Sequence, residues 1–225
     1  MALPRPLHRC RLASHVEGQD HMQSSDIVLD EGLVRAGPAE ARKLGDITAD
    51  GFRNDPFNHW LFGNFAGISH LFHLQARRIY APRGYCYTHG DEGACMWMLP
   101  GGDASFGTAD YAAFALPTLF KCGPGAVRRG IKTGEAMDKV HPDFAHAYLF
   151  SIAVRPGAQG KGLGRKLIAP VLAACDRLGV PAYLENSNPA NAGFYGSLGF
   201  VVCGEIRPTP DAPPLVPMVR EPRSA

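Results

Sequence analysis

The stretch from Tyr148 to Gly164 constrains the fold more than any other part of the sequence. It begins with an apolar, partly β-branched run that stops before Pro156, which predicts a strand buried on both faces. Glycines follow, and apolar residues then recur at helical spacing up to Gly179, namely Leu163, Leu167, Val171, Ala174 and Leu178. The pattern predicts a central strand, a glycine loop and an amphipathic helix that begins at the loop.

A glycine loop at the start of a helix predicts a phosphate site. The first helical turn has N–H groups without partners and the positive end of the helix dipole, and glycines let a ligand approach the backbone. A flexible glycine-rich turn is the plain alternative. Spacing excludes two rival phosphate loops. A nucleoside-triphosphate loop needs a hydroxyl residue after its lysine, where Lys161 is followed by Gly162, and the dinucleotide fingerprint needs a third glycine where Arg165 stands.

The pattern that fits is Q-x-x-G-x-G, formed by Gln159, Gly162 and Gly164 five residues after the valine that ends the strand. It resembles the acyl-CoA pyrophosphate loop of the GNAT superfamily of N-acetyltransferases, in particular the puromycin N-acetyltransferase-like small-molecule acetyltransferases. The resemblance continues through residues 182–186 and 191–200, includes short matches at 33–40 and 55–56, and covers about residues 26 to 220.

The resemblance implies an enzyme that uses acetyl-CoA as its cosubstrate. Backbone N–H groups of Ile152 and Val154 would bind the acetyl carbonyl and the pantetheine arm if the parallel strands separate there, which would form an oxyanion hole. The implied cofactor-binding residues are the end of the strand, the loop and one residue of a later helix, that is, Ile152, Ala153, Val154, Gln159, Gly160, Lys161, Gly162, Leu163, Gly164, Arg165 and Asn191.

Two side chains could carry the chemistry. Glu185 ends a second buried strand, where desolvation would suit a general base, and an exposed strand-end carboxylate or a member of an ion pair is the alternative. Tyr195 lies four residues after Asn191 on a short helix, so the two are predicted to share a face. The resemblance implies that Tyr195 is a general acid near the thioester sulfur, and a packing tyrosine is the alternative.

The order strand, helix, strand predicts a right-handed parallel crossover. We expect a GNAT-like α/β fold with a central mixed sheet of about six to seven strands, splayed parallel strands at 146–154 and 181–186, and helices on both faces. Residues 25–225 are predicted to form a single acetyltransferase domain, and residues 1–24 a disordered extension. Further predictions are a strand at 27–35, a helix from 38 to 52, a loop at 54–60, a hairpin of 85–88 with 94–99, helices near 108–120 and 125–138, and strands at 200–206 and 215–220, with Pro217 at a bulge or an edge.

Composition excludes several classes of protein. The net charge is +2 and no run of five or six like charges occurs, which argues against a nucleic-acid partner. No apolar run approaches the roughly 18 residues of a membrane span, and no signal-type stretch opens the chain, so we expect a cytoplasmic protein without a membrane partner. The six cysteines lack a C-x-x-C pair and are predicted to be reduced. His70 and His73 lack a nearby third ligand, so no metal is expected.

The predicted function is transfer of the acetyl group of acetyl-CoA to a primary amine of a small molecule by direct attack. Two alternatives remain. One is acetylation of lysine side chains or amino termini of proteins and peptides, and the other is a non-catalytic CoA-binding regulatory domain. A monomer or a homodimer is expected.

Overall fold

The computed structural model describes residues 22–223. Its sheet has seven strands in the order β1-β2-β3-β4-β5-β7-β6, and only β4 and β5 are parallel, which confirms the predicted mixed sheet. The strands are β1 (Leu33–Ala36), β2 (Tyr85–His89), β3 (Gly93–Met98), β4 (Ala147–Val154), β5 (Ala182–Asn186), β6 (Val201–Val202) and β7 (Val216–Arg220).

Helices cover both faces of the sheet. They are α1 (Ala41–Gly51), α2 (Pro56–Phe62), α3 (Phe65–Gln75), α4 (Ala81–Arg83), α5 (Thr108–Cys122), α6 (Pro124–Asp138), α7 (Leu163–Leu178) and α8 (Ala192–Ser197). A π-helical segment, Ala76–Tyr80, joins α3 to α4. Three short 3-10 turns, Ser24–Asp26, Pro38–Glu40 and Pro189–Asn191, complete the helical segments of the described chain.

Because successive side chains of a strand point to opposite faces of the sheet, the core is divided between the two faces. On the face that α7 covers, Trp97 packs with Leu167 and Val171, and all three side chains are fully buried. On the opposite face, Met96 packs with Leu44 and Ile47 of α1. Burial of each such aliphatic side chain contributes roughly 1.5–3 kcal/mol. The helix α7 continues through Pro170, as its apolar stripe predicted, because that stripe is buried from Leu163 to Cys175.

The predicted hairpin and the two helices after it are confirmed as β2, β3, α5 and α6, and the helix after residue 38 is confirmed as a 3-10 turn followed by α1. The predicted first strand is too long, because only Leu33–Ala36 pairs with β2. The strand predicted at 200–206 is also too long, because only β6 and an isolated bridge between Ile206 and Leu215 form there. Pro217 is opposite Glu185 of β5, and on its other side it lies one residue beyond the last β6–β7 pair, Val202 with Met218, where its carbonyl accepts from Cys203 N–H.

The predicted loop at 54–60 is wrong, because α2 occupies most of it. Asp55 caps this helix by accepting from the N–H of Asn58, and Pro56 takes the first helical position, where a missing N–H costs nothing. These two signals were in the sequence. The aromatic residues of α2 pack into a third cluster with Phe72 and Phe114.

The amino-terminal boundary and one cysteine also differ from expectation. Met22 is buried against the α7 face of the sheet, whereas Gln23 and Ser24 are exposed, and residues 1–21 of the predicted extension lie outside the described residues. Cys86, Cys95, Cys122 and Cys175 are free thiols. Cys203 is disulfide-bonded, so the prediction of reduced cysteines is wrong there, and Cys10 lies outside the described residues. Between residues 22 and 223, no helix combines the length and apolarity that a membrane span requires.

Candidate active site

The two parallel strands at the centre of the sheet pair only at their beginnings. Ala147 is opposite Ala182 and Tyr148 is opposite Tyr183, after which no further pair forms, although β4 and β5 both continue. Their outer edges stay paired with β3 and β7. The inner edges, residues 149–154 and 184–186, therefore face each other across a gap, which we call the wedge. This confirms the predicted splayed strands.

A β-bulge accompanies the separation. Ser151 pairs with Met96 and Leu149 with Trp97, so Phe150 has no partner in β3. An extra residue of this kind bends its strand and increases the local twist. The bulge lies directly after the last β4–β5 pair, which gives a physical reason for the wedge to open at this level.

Backbone direction decides which groups of β4 face the wedge. Arg155 N–H donates to the Glu92 carbonyl on the β3 side at 2.8 Å. Because successive N–H groups of a strand point to opposite edges, those of Val154 and Ile152 face the wedge, where β5 offers no partner. The N–H of Ala153 faces β3, so only two of the three predicted strand residues present an N–H to the wedge. The Gln159 side chain donates to the Val154 carbonyl at 2.9 Å and connects the loop to the strand end.

The loop between β4 and α7 has the geometry of an anion site. Gly157, Gly160 and Gly162 have φ of 90°, 77° and 81°, and a Cβ at any of the three would meet nothing within 4 Å. This left-handed backbone favours glycine. Gly162 is the N-cap of α7 and no side chain caps the helix, while the Gly162 carbonyl accepts from the N–H groups of Arg165 and Lys166. The preceding N–H groups of the first turn, on Leu163 and Gly164, have no acceptor four residues back within the helix, so they suit a pyrophosphate.

The first turn of α7 is connected to the last residue of α8. Arg165 donates to Ser197 Oγ at 2.7 Å, and the exposed Lys161 lies beside it at the loop. The predicted shared face of Asn191 and Tyr195 is wrong, because Asn191 is exposed and Tyr195 is buried. Asn191 ends a 3-10 turn and α8 starts one residue later, so the four residues between them do not make a regular α-helical turn.

Tyr195 lies on the α7 face of the sheet. Its ring packs on Phe200 and Phe194, with centroids 5.9 Å and 5.1 Å away. Burial raises the pKa of Tyr195 well above its usual value of 10, and proximity to Cys95 and Asp55 raises it further. Cys95 pairs with Ile152 across the sheet. The phenol is therefore close to the level of the wedge, and it stays protonated at neutral pH.

Glu185 lies on the opposite face of the sheet from Tyr195. Its side chain is 3% exposed, so the interpretation as an exposed strand-end carboxylate is wrong. His141 Nδ1 is 3.7 Å from Glu185 Oε1, and this oxygen has no hydrogen-bond partner within the described residues. Tyr183, two residues earlier in β5, shares its face. A buried base on one face and a buried protonated phenol on the other flank the wedge, a geometry suited to proton removal and proton donation at one reaction centre.

Several residues of this region have no counterpart in the sequence prediction. Asp55 is buried, and its second oxygen accepts from Ser187 Oγ at 2.7 Å, so the start of α2 is tied to the chain that follows β5. Aromatic rings and imidazoles converge around Glu185 from several elements, namely Tyr80, His141, His146, Tyr148 and Tyr183. His146, directly before β4, and Tyr148, in β4, are two residues apart, and this spacing is the one signal that could have placed them on the same face as Glu185.

The comparisons with known proteins agree with this geometry. Residues 130–200 match the sequence model of the acetyltransferase (GNAT) family. An uncharacterized N-acetyltransferase of Schizosaccharomyces pombe is 43% identical over 79 residues, which are 34% of this chain and 32% of that protein. The L-amino acid N-acyltransferase MnaT of Escherichia coli is 38% identical over 66 residues, 28% of this chain and 38% of that protein. The chain thus spans about a third of the length of the curated relatives it matches.

Similarity to a solved structure extends over most of the chain. The crystal structure of histone acetyltransferase HPA2 and related acetyltransferase from Corynebacterium glutamicum superimposes with a TM-score of 0.62 and 25% identity, covering 86% of this chain and 97% of that one. The fold is that of an acetyltransferase, and the loop and the wedge lie within or beside the matched segment. Residues 130–200, which include the end of β4, the glycine loop, α7, β5 and α8, thus match the GNAT acetyltransferase family, whose members use acetyl-CoA.

Proposed function

We propose that the protein is an N-acetyltransferase that transfers the acetyl group of acetyl-CoA to a primary amine of a small molecule. The observation that carries the proposal is the wedge, where the end of β4 offers two N–H groups beside an uncapped helix start. A backbone cradle of this kind fits an elongated ligand with a carbonyl at one end and phosphates at the other. The match of residues 130–200 to the GNAT acetyltransferase family supports the same conclusion.

The residues divide the work of binding acetyl-CoA. The uncapped N–H groups of α7, with Gly160, Gly162 and the nearby Lys161 and Arg165, hold the pyrophosphate. Val154 N–H holds the pantetheine arm, and Asn191 reaches the same arm from the other side of the loop. Ile152 N–H donates to the acetyl oxygen, where negative charge develops. Acetyl-CoA supplies an activated acetyl group as a thioester.

Two side chains move protons at the reaction centre. Glu185 takes the proton that the attacking amine loses, directly or through one water, as the N–C bond forms. Tyr195 gives its proton to the sulfur as the C–S bond breaks. Exchange with water returns both groups to their starting states, so the products are the N-acetylated amine and free thiol. The opposite faces on which Glu185 and Tyr195 lie keep the two proton transfers apart.

The proposal is tested by measuring the thermal stability of the protein with coenzyme A and the release of thiol from acetyl-CoA in the presence of amines. A ligand at a hundred times its Kd stabilises a protein by about 2.7 kcal/mol. Gly162→Asp is expected to abolish the shift in Tm, because it places a carboxylate where the pyrophosphate rests. An unchanged shift in a folded Gly162→Asp variant would remove the phosphate assignment.

Gly63→Asp is the matched control. Gly63 also has a positive φ, of 73°, with nothing near its Cβ position, and it lies at the end of α2 away from the loop. Both substitutions carry the same left-handed strain, on the order of 1–2 kcal/mol. Only the one at Gly162 should remove coenzyme A binding.

A further inference from the structure

A group of rings surrounds Glu185 on the face of the sheet opposite α7, and we call it the aromatic chamber. Tyr148 and Tyr183 are paired in the sheet, and their ring centroids are 5.9 Å apart. The rings of His141 and His146 contact both tyrosines with centroid distances of 5.1–6.4 Å, and the two histidine rings are 5.0 Å from each other. The remaining members are Phe144, Tyr80 and Phe150.

Glu185 is the carboxylate that interacts with these tyrosines and histidines, and among residues 22–223 it forms no ion pair with a lysine or arginine. His141 is its single ion-pair partner in the described chain, at 3.7 Å. Asp176 shows the contrast, because Arg220 bonds both of its oxygens at 2.7 Å. Burying a carboxylate without a full cation is costly. A ligand ammonium or amine would supply the missing partner.

The walls of the chamber add little positive charge. Burial lowers the pKa of His146 to about 4, so this ring is neutral at physiological pH, and its Nδ1–H donates to the Phe144 carbonyl at 2.8 Å. Burial raises the pKa of Tyr148 and of Tyr183, and the charge of Glu185 raises both further, so both phenols are neutral. Neutral ring faces attract cations and stack on other rings.

Within the described residues, no lysine or arginine is available in the chamber to bind a second carboxylate. Between residues 22 and 223, no lysine or arginine pairs with Glu185, and the groups that interact with it are His141, His146 and the three tyrosines. A carboxylate next to the reacting amine would be repelled by Glu185 and would lose its hydration without an Arg or Lys in return.

We propose that the acceptor is a primary amine on a short chain that bears an aromatic ring and has no carboxylate beside the amino group. The ring stacks in the aromatic chamber and the amine meets Glu185 at the edge of the wedge. Phe144 and Phe150, which are only half-buried, form the part of the wall that a guest ring can reach. This inference rests on the proposed function and names its substrate class.

The test compares four amines in the thiol-release assay and, independently, by calorimetric binding to the protein without acetyl-CoA. They are 2-phenylethylamine, its saturated analogue 2-cyclohexylethylamine, phenylalanine, and phenylalanine methyl ester, in which the carboxylate is blocked. We expect kcat/KM to be about tenfold higher for the phenyl than for the cyclohexyl amine. Phenylalanine should fall at least about a hundredfold below its methyl ester.

A variant sharpens the comparison. Phe144→Leu keeps an apolar wall but removes a ring, so it should reduce the advantage of the phenyl amine over the cyclohexyl amine while acetyl-CoA binding stays unchanged. Thiol release with phenylalanine at or above the rate of 2-phenylethylamine and the ester would overturn the acceptor class and leave the acetyltransferase function standing. Bound acetyl-CoA with neither binding nor turnover of 2-phenylethylamine would also overturn it. Absence of acetyl-CoA binding would instead remove the proposed function.

Discussion

The two sides of the wedge are built in different ways. The side toward α7 presents backbone N–H groups of Ile152, Val154 and the first helical turn, and glycines keep it open. The aromatic chamber on the other side is built from side chains of separate elements, from the segment before α4 to β5. A backbone site depends on φ angles and open space, so one added Cβ or charge destroys it. A side-chain site depends on the chemical identity of each residue, so isosteric changes alter its chemistry and leave its shape.

The largest expected effect is on turnover and comes from a change at Glu185 in the aromatic chamber. Glu185→Gln keeps shape but removes the base, so turnover should fall about a hundred- to ten-thousandfold, most of all at low pH, where the amine arrives protonated. Coenzyme A affinity should not change. Asp176→Asn is the control, a partly buried carboxylate held by the buried Arg220 outside the wedge, and it should lower stability while the folded enzyme keeps its rate. Wild-type rates of Glu185→Gln across the pH range would return Glu185 to a structural role.

The next effect separates catalysis from packing at Tyr195. Tyr195→Phe keeps the ring in its contacts with Phe194 and Phe200, so turnover should fall by about two powers of ten with little change in Tm or in coenzyme A affinity. Tyr85→Phe removes another buried hydroxyl from the same face of the sheet and should leave the rate unchanged. If Tyr195→Phe melts early and turns over normally when folded, Tyr195 is a packing residue.

The aromatic chamber should also give the protein a pH-dependent stability. Because the folded pKa of His146 is about 4 against 6.5 when unfolded, its contribution is complete above pH 6.5 and is lost as the pH falls toward 4. The burial of His146 should therefore lower the free energy of unfolding by up to about 2 kcal/mol as the pH falls from 7 to 5. Denaturant unfolding of His146→Gln should show a free energy of unfolding that depends less on pH. Part of the remaining pH dependence should come from His70, because burial lowers its pKa as well. A wild-type slope in the variant would show that His146 is not desolvated.

The smallest expected effect concerns Arg165, an exposed side chain in the first turn of α7. Arg165→Ala should weaken coenzyme A binding by about three- to tenfold, because it removes one exposed cation beside the helix start. Ser197→Ala breaks the hydrogen bond to Arg165 but keeps the charge, so its affinity should stay near that of the wild type. Equal losses in both variants would mean that Arg165 acts by fixing α8 and not by its charge.

The same division explains what could be predicted from the sequence. The glycines at 160, 162 and 164 and the apolar stripe of α7 are local patterns, and they were enough to place the glycine loop at the start of α7, both parallel strands and the mixed sheet. Glu185 and Tyr195 were found as residues, but their positions on opposite faces were not, because the face of Tyr195 depends on a 3-10 turn that helical spacing does not register.

The aromatic chamber lay beyond sequence reasoning for a different reason. Tyr80, His141 and Tyr183 are far apart in the chain, and only the pairing of Tyr148 with Tyr183 and the packing of the segments against β4 and β5 bring their rings together. No local pattern encodes that meeting. Asp55 was different, because an aspartate before a proline is a helix-start signal that predicts α2 and its cap.

The separation of the backbone cofactor site from the aromatic chamber is tested most directly by coenzyme A affinity. Titration calorimetry would measure it on the wild type, Gly162→Asp and Glu185→Gln. If the cofactor site is built from backbone groups independently of the aromatic chamber, Gly162→Asp loses the binding heat, while Glu185→Gln binds within about twofold of the wild type and still fails to turn over. Equal weakening of binding in both folded variants, or full binding by Gly162→Asp, would contradict the assignment of the cofactor to the wedge and the loop.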